Sequence, residues 1–505
     1  KCNRFSYSNK LVYREATFGR GEIGGNMKND SALCDDKKIP LPYNYSNRQY
    51  VSSTRGGEVD KDGNVYFSFG CRLIIYKKLA DQVVFYDIPY PILFIHQDKD
   101  GDLWIGTTKG GYLYKRSDLT SRPITFLSSL TICSIFIDRE NSVWVATTQK
   151  GVFKSNSKDV LLFQEKVSHF QKEKERLNIT FESKKVFSVF KNDSTYTDNT
   201  LSKFLPTLNA FKATFIDRDF SYYNTGNNLY YRKGKDTTSF TSVTMMSAND
   251  IFKINGDTVC FINSSLVYYA VKNKVIKILR SPFSIRYFVR LKNKTILLGS
   301  RNNSGIYELK NDRFVPYLPN LPQLKTRINC IVEDSAANLW IATNEHGLYC
   351  YDRQKKLHAY NSLISDKLNY LTLDNKSNLW AITNSELIKL NYSAGLDHPV
   401  ISTFNQSNGL PNFQLEKIVE FNGDIWCSTT ENFYHFKSDK LTSNKTPPLV
   451  YINNVLINDK PVFIDNTHPL TLKHNENNIH ILSTVISNKN ASKKEFLYKL
   501  VGYDD

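Results

Sequence analysis

The chain has 505 residues and a formal net charge of +17, and 41% of its residues are hydrophobic. This length is too great for one ordinary compact core, and the apolar fraction is too high for a disordered chain, so several domains or one repeat array are expected. The basic residues are scattered rather than clustered, so we predict no nucleic-acid partner for this region.

The 30 Tyr and 31 Phe stand among many Val, Ile and Thr, which favours strands. Residues 1–57 match the later pattern poorly, and we predict a degenerate N-terminal blade or strand segment there. From residue 58 to residue 445 one pattern recurs, Asp-x-x-Gly-x-Leu-Trp-Ile-Gly-Thr-x-x-x-Gly-Leu-Tyr. Its clearest copies are centred on Trp104, Trp144, Trp340, Trp380 and Trp426. An earlier, weaker copy has Tyr66 in the place of the Trp.

Further weak copies fill the intervals, around Phe187, Tyr222, Cys260 and Leu297. From Tyr66 to Trp426 the copies follow one another every 40 residues on average, a period typical of propeller blades. Each copy reads as three strands with polar turns between them, and a variable fourth strand should precede the next copy. We therefore predict an all-β fold, with about ten or eleven four-stranded blades in two β-propellers.

The large ring at a fixed place in each copy is interpreted as a packing residue between blades rather than as a platform for a ligand. The polar turn before it, for example Asp98, Asp100 and Gly101, can close a tight hairpin through side-chain hydrogen bonds and a positive φ. A calcium loop is the alternative for this turn. It is disfavoured because other copies use Asn or Ala there and lack the distal bidentate Glu.

These copies resemble the regulator-propeller repeat in the sensor regions of bacterial hybrid two-component systems and related sensor kinases. Trp104-Ile105-Gly106-Thr107 and Trp340-Ile341-Ala342-Thr343 are close matches to it, and Gly409-Leu410-Pro411 resembles the connection before the last blade. Residues 446–505 are similar to the start of the three-tyrosine domain that follows the propellers in that family, with Tyr498 and Tyr503 in motif positions. The resemblance implies a partial immunoglobulin-like β-sandwich here, and a chain that is a piece of a longer protein at both ends.

The resemblance further implies the periplasmic or extracytoplasmic part of an inner-membrane sensor histidine kinase. Such a region is non-catalytic, has no cofactor, pairs as a homodimer and meets the membrane only through a segment outside this chain. It binds a small molecule or an oligosaccharide and passes the signal to a cytoplasmic kinase. Contacts to the ligand are expected at the turns between second and third strands, which hold Lys109, Lys150, Arg301, Asn302, Asn344, Glu345 and His346.

Two other function classes stay open on the residues alone. A carbohydrate-active propeller enzyme is disfavoured because Lys99 and Arg139 stand where sialidase turns carry Asp, although two carboxylates from different blades would leave no signature. A protein-interaction scaffold is the second alternative, since many propellers bind only proteins. The nine histidines show no metal-binding spacing, and no metal is predicted.

Overall fold

The computed structural model describes residues 31–34, 37–40, 58–163, 165–192, 194–198, 213–217, 220–224, 229–233, 236–239, 250–361, 363–364, 367–384, 386–410, 414–441, 444, 446–462, 471–489 and 499. These residues form 44 strands and three short 3₁₀ helices, Lys115–Ser117, Pro322–Leu324 and Gln406–Asn408. The chain divides into two compact units, residues 1–156 and 157–505. The predicted all-β propeller class is confirmed.

Unit 1 contains a two-stranded hairpin and three antiparallel sheets. The hairpin consists of β1 (Ser31–Cys34) and β2 (Lys37–Pro40). Sheet 1 consists of β3 (Glu58–Val59), β4 (Val65–Phe69), β5 (Arg72–Lys77) and β6 (Gln82–Asp87). Sheet 2 consists of β7 (Ile92–Gln97), β8 (Leu103–Thr107), β9 (Gly110–Tyr114) and β10 (Ile124–Phe126). Sheet 3 consists of β11 (Ile132–Ile137), β12 (Val143–Thr147) and β13 (Gly151–Ser155).

Unit 2 begins with β14 (Leu161–Phe163) and continues through seven four-stranded sheets within its described residues. Sheet 4 consists of β15 (Val167–Lys172), β16 (Arg176–Phe181), β17 (Val186–Phe190) and β18 (Thr195–Asp198). Sheet 5 consists of β19 (Ala213–Ile216), β20 (Ser221–Asn224), β21 (Leu229–Lys233) and β22 (Asp236–Ser239). Sheet 6 consists of β23 (Asp250–Asn255), β24 (Thr258–Ile262), β25 (Leu266–Val271) and β26 (Lys274–Arg280).

The later sheets of unit 2 follow the same order. Sheet 7 consists of β27 (Ile285–Arg290), β28 (Ile296–Ser300), β29 (Ile306–Lys310) and β30 (Arg313–Tyr317). Sheet 8 consists of β31 (Ile328–Glu333), β32 (Leu339–Thr343), β33 (Leu348–Tyr351) and β34 (Leu357–Ala359). Sheet 9 consists of β35 (Tyr370–Leu373), β36 (Leu379–Ile382), β37 (Leu387–Asn391) and β38 (Val400–Phe404). Sheet 10 consists of β39 (Lys417–Phe421), β40 (Asp424–Ser428), β41 (Phe433–Lys437) and the distant strand β14.

The segment after residue 445 forms a separate three-stranded sheet, in which β42 lies between β43 and β44. Its strands are β42 (Leu449–Ile457), β43 (Lys460–Val462) and β44 (Ile479–Ile486). Tyr498 and Tyr503 lie outside the described residues. The immunoglobulin-like assignment, the domain bounds at residues 57 and 445 and the blade count therefore stay predictions.

The aromatic position of the repeat lies between neighbouring sheets. Trp104 of sheet 2 packs in one cluster with Ile135 and Val145 of sheet 3. Trp340 of sheet 8 and Trp380 of sheet 9 have no exposed surface, and each packs against the sheet that follows. Burying such rings stabilises the stack of sheets by the hydrophobic effect.

A carboxylate in the preceding turn holds each of these rings. In the turn before Trp380, Asp374 Oδ1 accepts the backbone N–H groups of Lys376 and Asn378, at 2.9 Å each. Its Oδ2 accepts the Trp380 Nε1–H at 3.0 Å and the Asn378 amide at 2.8 Å. One buried side chain therefore fixes both the hairpin turn and the indole.

The same arrangement recurs in other sheets. Asp98, Asp138 and Asp334 accept from the indole six residues later, at 2.9 to 3.1 Å. In sheet 1, Asp60 Oδ2 accepts from the phenol of Tyr66 at 3.2 Å, so tyrosine keeps the contact. Other sheets depart from this arrangement. Sheet 10 has Glu420 in place of the aspartate, and none of the described residues accepts from Trp426 Nε1.

Sheet 4 differs from the sequence prediction. The sequence analysis places a weak copy of the repeat around Phe187, but Phe187 lies on the third strand, β17, and not at the aromatic place of the second strand. The pairing of β15, β16 and β17 instead puts Asn178 in that place. Asn178 is buried and bonded to Gln171 and Ser188, so a polar network replaces the indole.

Unit 2 closes on itself through β14. Leu161, Leu162 and Phe163 pair with β41, so the start of the unit supplies the fourth strand of its last sheet. Sheet 4 also packs directly on sheet 10, where Leu177 and Phe181 share a cluster with Trp426. The first strands of all seven sheets thus form a closed ring, β15, β19, β23, β27, β31, β35 and β39, each in contact with the next.

Replacing Asp374 by Ala tests the role of the turn carboxylate. Four donors lose their acceptor in a buried place, so we expect the free energy of unfolding to fall by about 3 kcal/mol. Urea unfolding followed by tryptophan fluorescence measures the change. Lys376→Ala, at an exposed position of the same turn, is the matched control and should change the midpoint little. Equal midpoints for the two variants would contradict this role.

Replacing Phe163 by Ala tests ring closure. The Phe163 ring stacks on Phe433 with centroids 4.4 Å apart, so we expect a loss of about 1 to 2 kcal/mol and faster hydrogen exchange in β41. Leu162→Ala is the control, because Leu162 is on the same strand and is 51% exposed. If the two variants exchange β41 amides at the wild-type rate, β14 does not close the ring.

Candidate functional site

The seven predicted ligand residues lie at the turns where they were expected, between second and third strands, but in different units. Lys109 and Lys150 belong to sheets 2 and 3 of unit 1. The other five belong to neighbouring sheets 7 and 8 of unit 2, namely Arg301, Asn302, Asn344, Glu345 and His346. The structure thus places the seven residues in two groups, one in each unit, and Arg301, Asn302, Glu345 and His346 are exposed.

Each of these turns lies beside the connection that enters the first strand of its own sheet. The Arg301 N–H donates to the carbonyl of Ser284 at 2.7 Å, and the Asn344 N–H donates to the carbonyl of Arg327 at 3.1 Å. In unit 1 the Thr108 N–H donates to the carbonyl of Pro91 at 3.1 Å. Within each unit these turns thus lie on the same face as the connections between sheets.

At this face of unit 2 a cavity of about 850 Å³ opens along the ring of first strands. This volume is in the range of small-ligand sites. Strands from five of the seven sheets line it, β15, β27, β31, β35 and β39. None of the seven residues predicted from the sequence lines the cavity.

An irregularity near the start of three first strands places a residue against this cavity. In sheets 4, 7 and 8 the ladder between first and second strands skips one residue, Ser168, Arg286 or Asn329. Such β-bulges re-aim a side chain and are frequent next to binding sites. The buried residue before each bulge, for example Ile328, anchors the strand against its neighbours.

Asn369 and Glu416 occupy the corresponding places in sheets 9 and 10. Their N–H groups donate to the carbonyls of Ile382 and Ser428 at 2.8 Å, next to the ladder. We call the five cavity-lining residues at this position the bulge ring, and its members are Ser168, Arg286, Asn329, Asn369 and Glu416. The sequence analysis missed the bulge ring, although in each of these five sheets a polar residue directly follows a buried aliphatic one.

Three members of the bulge ring are held by hydrogen bonds. Ser168 Oγ donates to the carbonyl of Thr180 at 3.0 Å, and Asn329 Nδ2 donates to the carbonyl of Leu368 at 2.7 Å. Asn369 Nδ2 lies 3.3 Å from the side-chain oxygen of Asn384. These bonds fix the polar groups toward the cavity, so this part of the wall is preorganised for a polar ligand.

Arg286 differs from these members. Its Nε is buried, and no described residue accepts a hydrogen bond from it. Burial lowers the pKa of the Arg286 guanidinium, and the nearby cations Arg327 and Arg301 lower it further. Arg301, a residue singled out in the sequence, therefore acts electrostatically on the cavity without lining it.

Lysines on the opposite part of the wall are engaged with carboxylates or carbonyls. Lys166 pairs with Glu182 at 2.9 Å, and the pKa of the Lys166 amine is raised by this hydrogen bond and by the charge of Glu182. Lys172 pairs with Glu420 at 2.7 Å, and Lys417 Nζ donates to the carbonyl of Ser168 at 3.2 Å. The last two contacts also join sheet 4 to sheet 10 and so support the closed ring.

Two aromatic residues complete the wall. Tyr287 and Tyr370 line the cavity from adjacent parts of the ring, with ring centroids 5.9 Å apart and nearly perpendicular planes. Behind them Cys330 is fully buried, with Sγ 3.7 Å from the carbonyl oxygen of Leu371. The cavity therefore combines polar groups with aromatic surface, a composition that suits ligands with both kinds of face.

Within the part of the chain that the structure describes, no three His, Cys, Asp or Glu side chains lie together as a metal site. No described helix is long and apolar enough to cross a membrane.

Comparison with known proteins supports the class of fold. Residues 88–109 match the family model described as two component regulator propeller. The structure is similar to the extracellular domain of a hybrid two component system, BT3049, from B. thetaiotaomicron, with a TM-score of 0.59 and 18% identity. The match covers 90% of this chain and 66% of that one, so the chain spans slightly less than two thirds of its length. The predicted resemblance to two-component regulator propellers is confirmed.

Other solved structures are more distant. Virginiamycin B lyase from Staphylococcus aureus has a TM-score of 0.42 and 10% identity, over 55% of this chain and 98% of that one. PorZ, a surface component of the type-IX secretion system of Porphyromonas gingivalis, has a TM-score of 0.39 and 12% identity, over 83% of this chain and 66% of that one. No curated protein sequence is detectably similar to the chain.

The reactivity of Cys330 tests the integrity of the cavity wall. Burial raises the pKa of its thiol to about 12, so about one molecule in ten thousand carries the thiolate at pH 8. We expect iodoacetamide to leave Cys330 unlabelled in the native chain at pH 8 and to label it in urea, with mass spectrometry of peptides as the measurement. The exposed Cys71 is the internal control for native labelling. Rapid native labelling of Cys330 would show that the wall is open.

Proposed function

We propose that this chain is the extracytoplasmic ligand-sensing region of a membrane-bound two-component sensor histidine kinase. The observation that carries the proposal is the cavity along the ring of unit 2, found in a chain whose repeat matches two-component regulator propellers. The region itself is non-catalytic, acts as a homodimer and senses a small ligand, with an oligosaccharide as our first candidate.

The wall of the cavity favours a sugar over an apolar ligand. Sugars present hydroxyl groups at their edges and C–H groups on their faces. Asn329 and Asn369 offer amide groups to the former, and the rings of Tyr287 and Tyr370 offer aromatic surface to the latter. The fixed geometry of these side chains reduces the entropy that binding would cost.

A binding role fits the carboxylates of the cavity better than a glycosidase role does. Hydrolysis of a glycosidic bond needs two carboxyl groups facing the scissile bond. Of the two lining carboxylates, Glu182 is paired with Lys166 and Glu416 is exposed at the mouth. A panel of glycans incubated with the chain should therefore be recovered intact by chromatography.

Signal transfer requires that the ligand favour one arrangement of the dimer over another. Residues 446–505, similar in sequence to a three-tyrosine domain, are the segment that we propose carries this change toward the membrane and kinase. This role distinguishes the sensor from a protein-interaction scaffold, which would have no kinase output.

The test begins with thermal unfolding of the chain in the presence of a panel of oligosaccharides. A ligand of the native state raises the midpoint, since saturation at 100 times the Kd adds about 2.7 kcal/mol. In cells that express the full-length protein, the same oligosaccharide should switch kinase output. Asn329→Ala and Asn369→Ala should weaken both effects, while Asn302→Ala, at an exposed turn of sheet 7, is the control.

Two results would contradict the proposal. One is a ligand that binds with unchanged affinity after both cavity substitutions. The other is a ligand that binds in the cavity but leaves the kinase output and the oligomeric state of the full-length protein unchanged.

A further inference from the structure

The strongest unexplained feature of the cavity is the guanidinium of Arg286. It is the bulge residue of β27 and lines the cavity, and its Nε is buried without an acceptor among the described residues. A buried donor without a partner costs free energy, and a buried cation without a counter-charge costs more. The buried Nε–H of the half-buried Arg286 therefore costs stability unless something else accepts its hydrogen bond.

The surroundings of Arg286 increase this cost. After burial, the charges of Arg327 and Arg301 contribute most to lowering the pKa of Arg286, and both are cations. No described carboxylate forms an ion pair with any of the three. An arginine side chain stays protonated in proteins, so it cannot relieve the repulsion by losing its proton.

Other bulge-ring members do not share this property. Ser168, Asn329 and Asn369 are neutral and bonded to neighbouring backbone or side-chain groups. Arg327 Nε donates to Asn329 Oδ1 at 3.2 Å, so Arg327 is itself oriented next to the cavity. The positive charge thus gathers at one part of the wall, formed by sheets 7 and 8.

We propose that the cavity of unit 2 receives an anionic group of the ligand, and that Arg286, flanked by Arg301 and Arg327, pairs with that group. This inference rests on the proposed ligand-sensing function and narrows its ligand to an acidic one. A guanidinium presents its donors in a planar fork that matches the oxygens of a carboxylate or a sulfate ester. Both of these groups are oxyanions, and the binding measurement below distinguishes a carboxylate from a sulfate ester.

The charges of the lining residues agree with this assignment. Four cations line the cavity, Lys166, Lys172, Arg286 and Lys417, against two carboxylates, Glu182 and Glu416. Lys166 and Lys172 are neutralised by ion pairs. An anion that enters the cavity therefore meets Arg286 as the lining cation whose Nε has no acceptor among the described residues, inside a partly enclosed site where charge-assisted hydrogen bonds are strong.

A stability measurement without ligand is the first test. Arg286→Met keeps the length of the side chain and removes its charge, so we expect the unfolding midpoint in low-salt chloride buffer to rise by about 2 to 4 °C. Arg313→Met is the matched control, because Arg313 is exposed on the outer strand of the same sheet, and its midpoint should stay at the wild-type value. A lower midpoint for Arg286→Met than for the control would overturn the inference, since Arg286 would then be a satisfied structural residue.

A binding measurement is the second test, with four probes at matched ionic strength: a trigalacturonate, a sulfated disaccharide, a neutral trigalactose and inorganic sulfate. We expect an acidic probe to bind the wild-type chain and to bind Arg286→Met at least about tenfold more weakly. Arg286→Lys, which keeps the charge but loses the fork, should lie between them. Binding of the trigalacturonate identifies a carboxylate as the anionic group of the ligand, and binding of the sulfated disaccharide identifies a sulfate ester.

The remaining outcomes separate the anion site at Arg286 from the proposed ligand-sensing function. If the neutral sugar binds wild type and Arg286→Met equally and the acidic probes do not bind, the inference is overturned while the ligand-sensing function stands. If no sugar binds but inorganic sulfate stabilises wild type more than Arg286→Met, the anion site stands and the oligosaccharide part of the proposed function fails. If sulfate stabilises both chains equally and no sugar binds, both are overturned.

Discussion

The described sheets of unit 2 pack apolar residues against their neighbours in the ring, and this constraint determines the architecture of the unit. A sheet of this kind cannot stand alone in water, so each must pack against two neighbours, and a linear stack would leave its two end sheets exposed. Unit 2 satisfies the constraint by closing into a ring, with β14 completing sheet 10 and sheet 4 packed on the same sheet. The turn aspartate contributes by fixing the indole that fills the space between sheets, as Asp334 does for Trp340.

Ring closure also creates the cavity. Seven first strands that surround a common axis cannot all fill it with side chains, and the bulge at the start of several of them turns one more side chain inward. The same geometry brings the turns between second and third strands to the rim. Packing between sheets thus produces a site whose residues come from five of the seven sheets of unit 2, and whose chemistry can change without change to the buried indoles.

Much of the fold could be predicted from the sequence, because its signals are local. Trp104 and Trp340 recur with their turn residues at short range, and a period of 40 residues is read directly from their copies. Sheet 4 could not be aligned correctly from the sequence, because Asn178 and its buried polar network stand where the repeat otherwise has an aromatic residue. The pairing of β14 with β41 could not be predicted either, since it joins distant segments through backbone hydrogen bonds that leave no residue pattern.

The candidate site was predicted only in part. The turns of Arg301 and Asn344 lie at the face where the cavity opens, as the repeat implied. The residues that line the cavity lie instead on the first strands and beside them. Arg286 could have been noticed as a cation inside an apolar first strand. Only the folded ring shows that its Nε has no acceptor among the described residues and that the cations Arg301 and Arg327 act on it.

Hydrogen–deuterium exchange of the chain with and without saturating ligand tests the central claim most directly, since it reports every segment in one experiment. The closed ring with an axial site predicts protection of peptides from β15, β27, β31, β35 and β39, and unchanged exchange at the turns of Lys109 and Lys150 in unit 1. Protection confined to unit 1, or to the outer strands of unit 2, would contradict it.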